Sequence, residues 1–319
     1  RTSPRLMVIH RHSGRIEHKT FSQITDYLSE KDILLLNNTK VLKARLLGHR
    51  QTGGKAEALF LHRLSENEAL FLLGTRGKVE KGEHFVFANG KLKLITLKKD
   101  EIGRWHVLIE GDLDSALKQF GLIPLPPYIT AKRGTKETTE EDETRYQTVY
   151  AQKEGSVAAP TAGLHFSSDL LNKIEKLGVE LLFVTLHISY DTFRPIKTET
   201  LNAHKMYSEY YEVSEEVMSR LLNAKKEKKR IIAVGTTTVR TIETIARNKQ
   251  PAGWTDLFIY PPFEFLLTDA MLTNFHLPKS TLFVLVCAFA GTELMQAAYR
   301  KAIEEKYRFY SYGDATLII

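Results

Sequence analysis

The sequence predicts an α/β protein in which a larger α/β domain is interrupted by a small β-barrel-like domain. Three observations predict it. Strand-like and helix-like stretches alternate from residue 146 onward, the texture of a layered α/β domain. Short β-type runs, separated by glycines and charges, fill the region from about 48 to 110 instead. A buried-looking strand pair precedes them, over residues 33 to 47. The larger domain is therefore expected over 1–47 and 146–319, and the insertion over 48–145.

Ile33 to Leu36 is an uninterrupted apolar run and is expected to be a buried strand, with a turn at Asn37-Asn38 and a second strand from Val41 to Leu47. Ala56 to Leu61, Ala69 to Leu73, His84 to Phe87, Leu92 to Leu97 and Trp105 to Ile109 are expected barrel strands. Asp112 is placed to cap a short helix with Leu113, Ala116, Leu117 and Phe120 on one face and Gly121 as its stop. Pro124 to Tyr128 carries three prolines and must be extended. The charged, Thr-rich stretch Ala131 to Arg145 is expected to be a mobile surface loop.

Beyond it, Ser167 is positioned to cap a helix bearing Leu170, Leu171, Ile174 and Leu177, closed by Gly178. A strand from Val179 to Leu186 follows. Ser214, with Glu215 and Glu216, opens another helix. Strand Ile231 to Val234 runs into Gly235-Thr236-Thr237-Thr238 and a helix through Val239, Ile242 and Ile245. A strand at Leu257 to Tyr260, helical stretches near 281–290 and 293–307, and an apolar tail from Ala315 to Ile319 complete the chain.

At 319 residues with 43% hydrophobic and 26% charged content, the composition is that of an ordinary globular protein. Its longest strongly apolar run, Leu282 to Ala290, is far shorter than the roughly 20 residues that cross a bilayer. No charged-then-apolar leader opens the sequence, so a cytoplasmic protein without a membrane partner is expected. The lone Cys287 excludes an internal disulfide and a cysteine-rich zinc site, and its apolar neighbours suggest a core residue. A net charge of +7 favours polyanionic partners. The run Lys225-Lys226-Glu227-Lys228-Lys229-Arg230 is either an RNA patch or the solvated end of a helix, whose dipole favours cations there.

Several segments carry chemistry. Ala158 to Phe166 sets small residues and His165 just ahead of a helix start, where free N–H groups suit a carboxylate. His165 has the intrinsic pKa range of a general base. Gly235 to Arg240 joins a strand to a helix, the position where open α/β sheets bind ligands. Asn274 to Pro278 and Tyr310 to Asp314 mix polar groups into apolar flanks, and their rings and carboxylate suit a sulfonium cation. No G-x-G-x-x-G, P-loop or H-E-x-x-H string occurs, and His165, His187, His204 and His276 lack metal-site spacing, so no metal is expected.

Read together and in order, these segments resemble one family. Asn37 to Leu46, Leu125 to Ile129, Arg145 to Tyr150, Ala158 to Phe166, Thr185 to His187 with Thr192 to Pro195, Gly235 to Arg240, Thr273 to Pro278 and Tyr307 to Asp314 are similar to the successive signatures of the S-adenosylmethionine:tRNA ribosyltransferase-isomerases. The resemblance implies an α/β domain with an inserted β-barrel. It also implies S-adenosylmethionine as a cosubstrate and ribosyl donor, with no tightly bound cofactor. The acceptor would be 7-aminomethyl-7-deazaguanine at the wobble position of a tRNA, and the products epoxyqueuosine-tRNA, adenine and methionine. A monomer is expected.

On that basis His165 is the leading base, with His276 and Asp314 as alternatives. Thr161, Gly163, Thr236 and Thr237 are expected to hold the methionine and ribose portions. Gly235, Arg240, Asn274 and Tyr312 are assigned to the same substrate site. Tyr146, Gln147 and Tyr150 are expected to read the deazaguanine or the donor. Arg133 and Lys225, Lys226, Lys228, Lys229 and Arg230 are expected to contact phosphates. The chain departs from the family pattern at Ser189 and Asp191, which replace glycines, at Tyr207, which replaces a histidine, and at Pro262. Two other readings stand beside this one: a catalytically inactive tRNA-binding module, and an RNA methyltransferase using the same cosubstrate.

Overall fold

A computed structural model describes residues 3–101, 103–126, 129, 138–189 and 196–319. In chain order it opens with β1 (Arg5–Ile9), β2 (Ile16–Thr20), β3 (Asp32–Asn37) and β4 (Thr39–Val41). Then come β5 (Arg45–Arg50), β6 (Lys55–Arg63), β7 (Glu68–Thr75), β8 (His84–Phe87), β9 (Leu92–Lys99), β10 (Trp105–Gly111), α1 (Leu113–Phe120) and α2 (Glu140–Arg145). After β11 (Lys153–Ser156) follow α3 (Ser168–Lys176), β12 (Glu180–Leu186), β13 (Glu209–Glu212), α4 (Glu215–Lys226), β14 (Arg230–Val234) and α5 (Thr236–Asn248). The last elements are β15 (Ala252–Thr255), β16 (Ala270–Asn274), α6 (Thr281–Ala290), α7 (Thr292–Glu304) and β17 (Ala315–Ile318).

The chain forms two compact units, one of residues 1–40, 147–153 and 159–319, the other of 41–146 and 154–158. Among the described residues of the first, nine strands make one sheet in the order β15-β13-β12-β3-β14-β16-β17-β1-β2. Its middle is parallel: β12 pairs β3, β3 pairs β14, and β14 pairs β16. All six residues of β3 are buried, as a strand covered on both faces requires. Leu34, Leu36, Ile232, Val234 and Leu272 point into one core with Leu170, Leu171 and Ile174 of α3.

The helix starts follow from local chemistry. The side chains of Ser167, Ser214 and Ser280 accept from the amides of Leu170, Val217 and Phe283, each satisfying a donor with no partner inside its own helix. α5 has no side-chain cap; Gly235 turns into it at φ +91°, a backbone conformation that favours glycine. Glu243 on α5 is fully buried. Its carboxylate accepts from the backbone N–H of Leu266, Leu267 and Thr268, from the Thr268 hydroxyl and from Arg247, at 2.8–3.0 Å.

The second unit is a closed barrel of six antiparallel strands, β10-β7-β6-β5-β8-β9. Alternate residues, among them Ala58, Phe71, Phe85, Phe87, Leu94 and Val107, fill its interior, and α1 adds Leu113, Ala116 and Leu117. Asp112 caps α1 by accepting from the Ser115 amide.

The differences from expectation have physical causes. The barrel unit begins at residue 41 rather than 48, because β5 pairs with both β6 and β8. Asn37 is not in a turn but ends β3, its side chain hydrogen-bonded to the end of the neighbouring strand β12. Part of the expected loop is helical: Thr139 and Asp142 form a reciprocal capping box at the start of α2. Residues 131–137 lie outside the described set. Leu257 to Tyr260 is not a strand. The Leu257 amide donates to the Thr255 hydroxyl and its carbonyl accepts from Arg240, so these groups are taken without a ladder. Cys287 is buried, and burial pushes its thiol up to about 11.

Replacing Glu243 by Ala leaves three backbone donors and the Thr268 hydroxyl without their acceptor and removes the carboxylate that Arg247 faces. We expect a loss of about 3–5 kcal/mol in unfolding free energy, read as a lower urea midpoint, with Glu243→Gln losing less.

Candidate active site

Two polar clusters meet near the ends of β14 and β16. The first is built on Thr161 to His165, a turn of 3-10 helix entered through Pro160. The Thr161 hydroxyl donates to Asn274 Oδ1 at 3.1 Å, and Asn274 Nδ2 lies 3.1 Å from His165 Nε2 and 3.3 Å from the Tyr310 carbonyl. Asn274 is buried at the last position of β16, while His165 is partly exposed and stacks on Phe21, ring centres 4.9 Å apart. Burial, followed by the opposing influences of Asp314 and Arg308, depresses the His165 imidazole to about 4.

Gly163 sits against Tyr150 so closely that a Cβ there would fall 2.0 Å from the Tyr150 hydroxyl and 2.8 Å from Thr148 Cγ2. The hydroxyls of Tyr150 and Thr148 are buried with no hydrogen-bond partner among the described residues. Burial raises the Tyr150 phenol well above its usual range.

The second cluster surrounds the start of α5. Asn37, wholly buried, donates from Nδ2 to the Leu186 carbonyl at 3.0 Å and to Thr237 Oγ1 at 3.3 Å, while its Oδ1 accepts from the amides of Thr39 and Leu186. A Cβ built on Gly235 would lie 3.7 Å from Ala162 Cβ, so the two clusters are neighbours. Thr236 and Thr237 border a cavity of about 10 Å³ walled by Met206, Leu257, Phe258 and Leu285. That space holds about one water. It is too small for a nucleoside.

The expected site residues therefore divide. Thr161, Gly163, His165, Asn274, Gly235, Thr236 and Thr237 come together, with Tyr150 packed behind Gly163. Arg240 does not join them as a free cation. It is buried in an ion pair with Glu209 and donates to the carbonyls of Leu257 and Thr255. Asp314 is likewise committed. It accepts from the amides of Arg5 and Arg308 and from the Arg308 guanidinium. Burial pushes that carboxyl up, but these bonds outweigh it and hold it below its ordinary value. His276 shares a hydrogen bond with the Thr273 hydroxyl through Nε2, and burial depresses it to about 3.

Tyr146 is fully buried and belongs to the barrel unit, whereas Gln147 and Tyr312 are partly buried in the other. The basic run is mostly paired: Lys225 with Asp269, Lys229 with Glu180, and Arg230 with Asp32. Only Lys226 and Lys228 of that set are exposed, at and just past the end of α4. Arg133, Asp191 and Thr192 to Pro195 lie outside the described residues. Ser189 donates its amide to Glu209 Oε1 at 2.7 Å. Among the described residues no group of three His, Cys, Asp or Glu side chains is arranged to hold a metal ion. No single helix there is long and apolar enough to cross a membrane; α6 and α7 meet that composition only as a pair bent by 116°.

Phe21 carries no sequence signal, and Asn37 is read from the sequence only as part of a turn and of the first family signature, not as a site residue. The signal for Asn37 was available: a polar pair ending an apolar strand marks the carboxyl end of a parallel sheet, where sites gather.

The family model for queuosine biosynthesis proteins matches residues 1–318. The chain belongs to that family. It is 48% identical over 326 residues to the S-adenosylmethionine:tRNA ribosyltransferase-isomerase of Thermoanaerobacter sp. (strain X514), covering 100% of this chain and 94% of that protein. The Clostridioides difficile (strain 630) protein of the same name is 47% identical, with 100% and 93% covered. The crystal structure of the S-adenosylmethionine tRNA ribosyltransferase from Thermotoga maritima is similar with a TM-score of 0.55 and 37% identity, covering 99% of this chain and 93% of that one. The mixed α/β fold with its barrel agrees with that likeness.

Both half-buried imidazoles bear on stability. An unfolded histidine titrates near 6.5, while His165 and His276 stay neutral down to about 4 and about 3. Between those values unfolding takes up protons, so stability should fall as pH drops from 6.5 toward 4. Thermal melting across that window, compared with His276→Gln, checks it; the variant should show a shallower decline.

Proposed function

We propose that this protein transfers and isomerises the ribosyl group of S-adenosylmethionine onto 7-aminomethyl-7-deazaguanine at the wobble position of a tRNA. The products are epoxyqueuosine-tRNA, adenine and methionine. The protein works in the cytoplasm as a monomer, with the donor as a cosubstrate and no tightly bound cofactor. Full-length likeness to proteins named for ribosyl transfer and isomerisation supports the reading. Among observations of geometry, the one that carries it is the Thr161–Asn274–His165 chain beside Gly235, which gathers polar groups from a loop and a strand end where α/β sheets bind ligands.

The chemistry sets the demands. The sulfonium acidifies the adjacent C5′–H, whose proton must pass to a base. Adenine leaves as the bond from its nitrogen to the sugar breaks, and a hydrogen bond to another ring nitrogen eases that departure. The aminomethyl nitrogen then bonds to C1′ and gives up a proton. The ring oxygen leaves C1′ but stays on C4′, C5′ closes onto C1′ to make the carbocycle, and that oxygen takes C5′ as the C5′–S bond breaks, which forms the epoxide and releases methionine. His165 is the polar group we set beside the sugar and base. Thr161, Gly163, Thr236 and Thr237 hold the rest of the donor. Lys226 and Lys228 are the members of the basic run left to meet phosphate.

Incubating the protein with S-adenosylmethionine and an anticodon stem-loop carrying the deazaguanine should release adenine and methionine together. Methylated RNA with adenosylhomocysteine would instead mark a methyltransferase. Salt-sensitive RNA binding without adenine would mark an inactive module. His165→Ala should lower kcat by about 10²- to 10³-fold, the usual loss when one positioned polar group is removed; turnover at the wild-type rate would take His165 out of the site.

A further inference from the structure

Asn274 is held in one orientation. Its Nδ2 faces the Tyr310 carbonyl at 3.3 Å, and a carbonyl can only accept. Turning the amide over would set oxygen against oxygen there. The other end of the side chain agrees, because Oδ1 lies 3.1 Å from the Thr161 hydroxyl, which donates to it. With both neighbours satisfied, the second hydrogen on Nδ2 points at His165 Nε2, 3.1 Å away. An N–H aimed at a ring nitrogen requires a lone pair on that nitrogen. The imidazole proton must then sit on Nδ1.

We propose that Asn274 fixes His165 as the neutral Nδ1–H tautomer, so that His165 serves the reaction as a hydrogen-bond donor to the departing adenine and not as the base. The ring plane is set by Phe21, stacked at 30°. Nδ1 has no partner among the described residues, and it is not among the atoms sealed from solvent, so its proton is available to a ligand. The charged groups facing the ring are Asp314 and Arg308. They are bound to each other at 2.5 Å and act in opposite directions, leaving burial as the dominant influence and the ring uncharged. A neutral imidazole is a good donor to a nitrogen that gains electron density as its glycosidic bond breaks, and it need not lose its proton to act. Asn274 is the positioning residue of the pair.

The donor role rests on the proposed ribosyl transfer; the tautomer does not, and the two are separable. Long-range 1H–15N NMR of protein labelled at histidine should show His165 near neutral pH with a pyridine-like Nε2 and a protonated Nδ1. A protonated Nε2, or an imidazolium, overturns the proposal. Asn274→Asp places an acceptor against Nε2 and should move the proton there and raise the ring's pKa. The same variant should lower kcat for adenine release at least about tenfold, with little change in KM for the donor. A kcat at the wild-type level despite the switched tautomer overturns the donor role. The wild-type spectrum alone decides the tautomer, so the test stands even where the variant fails to fold. No adenine from the wild-type enzyme would sink ribosyl transfer and the donor role with it, while the spectrum would still judge Asn274.

Discussion

The buried ion pair of Arg240 and Glu209 is the joint on which one side of the sheet hangs. Both side chains are almost wholly excluded from water, at 3% and 1% exposure. Charges so placed are tolerated only when each is paired and its remaining donors or lone pairs are used. Here they are. Arg240 spends its other N–H groups on the carbonyls of Thr255 and Leu257, and Glu209 accepts the Ser189 amide. One contact therefore ties α5 to β13, to the end of β15 and to the chain that follows it. It also holds α5, and with it Gly235 to Thr237, at the edge of the candidate site. A cation that looks free in the sequence is committed to architecture.

The same economy runs through the polar interior. Glu243, one turn further along α5, organises residues 266–268, and Asp314 gathers Arg5 and Arg308. Asn37 clamps the ends of β3 and β12. Each of these side chains is consumed by backbone groups that would otherwise be buried without partners. Around Gly163, by contrast, His165 Nδ1 and the hydroxyls of Tyr150 and Thr148 have no partner among the described residues. The contrast between polar groups bound to the fold and polar groups left open separates scaffold from chemistry more sharply than residue type does.

Local rules made much of this legible in advance. Asp112, Ser167 and Ser214 announce their helices because a cap depends on residues only three positions apart. The barrel strands are visible because alternation survives within each run. The strands β1, β2 and β16 carry no such signal, since β2 has no fully buried residue and all three are short segments that owe their state to distant neighbours. The basic run stays open to two readings in the sequence for the same reason. Arg230 meets Asp32, which is 198 positions away, and nothing local foretells that pairing. His165 was found as a residue, but its protonation depends on Asn274, 109 positions further on.

The register that sets Leu6 beside Ala315 and Ile9 beside Ile318 has a consequence for how the molecule comes into being. β17 lies inside the sheet, between β16 and β1, and contributes four buried residues. While the chain emerges from a ribosome, the slot between β1 and β16 stays vacant until the last of those four has been made. The barrel strands all fall between residues 45 and 111 and face no such delay. Synthesis thus yields a finished small module carried by an unfinished large one, whose open backbone edges await a partner more than 300 residues downstream. That interval is when the nascent protein is most exposed to mispairing with other chains.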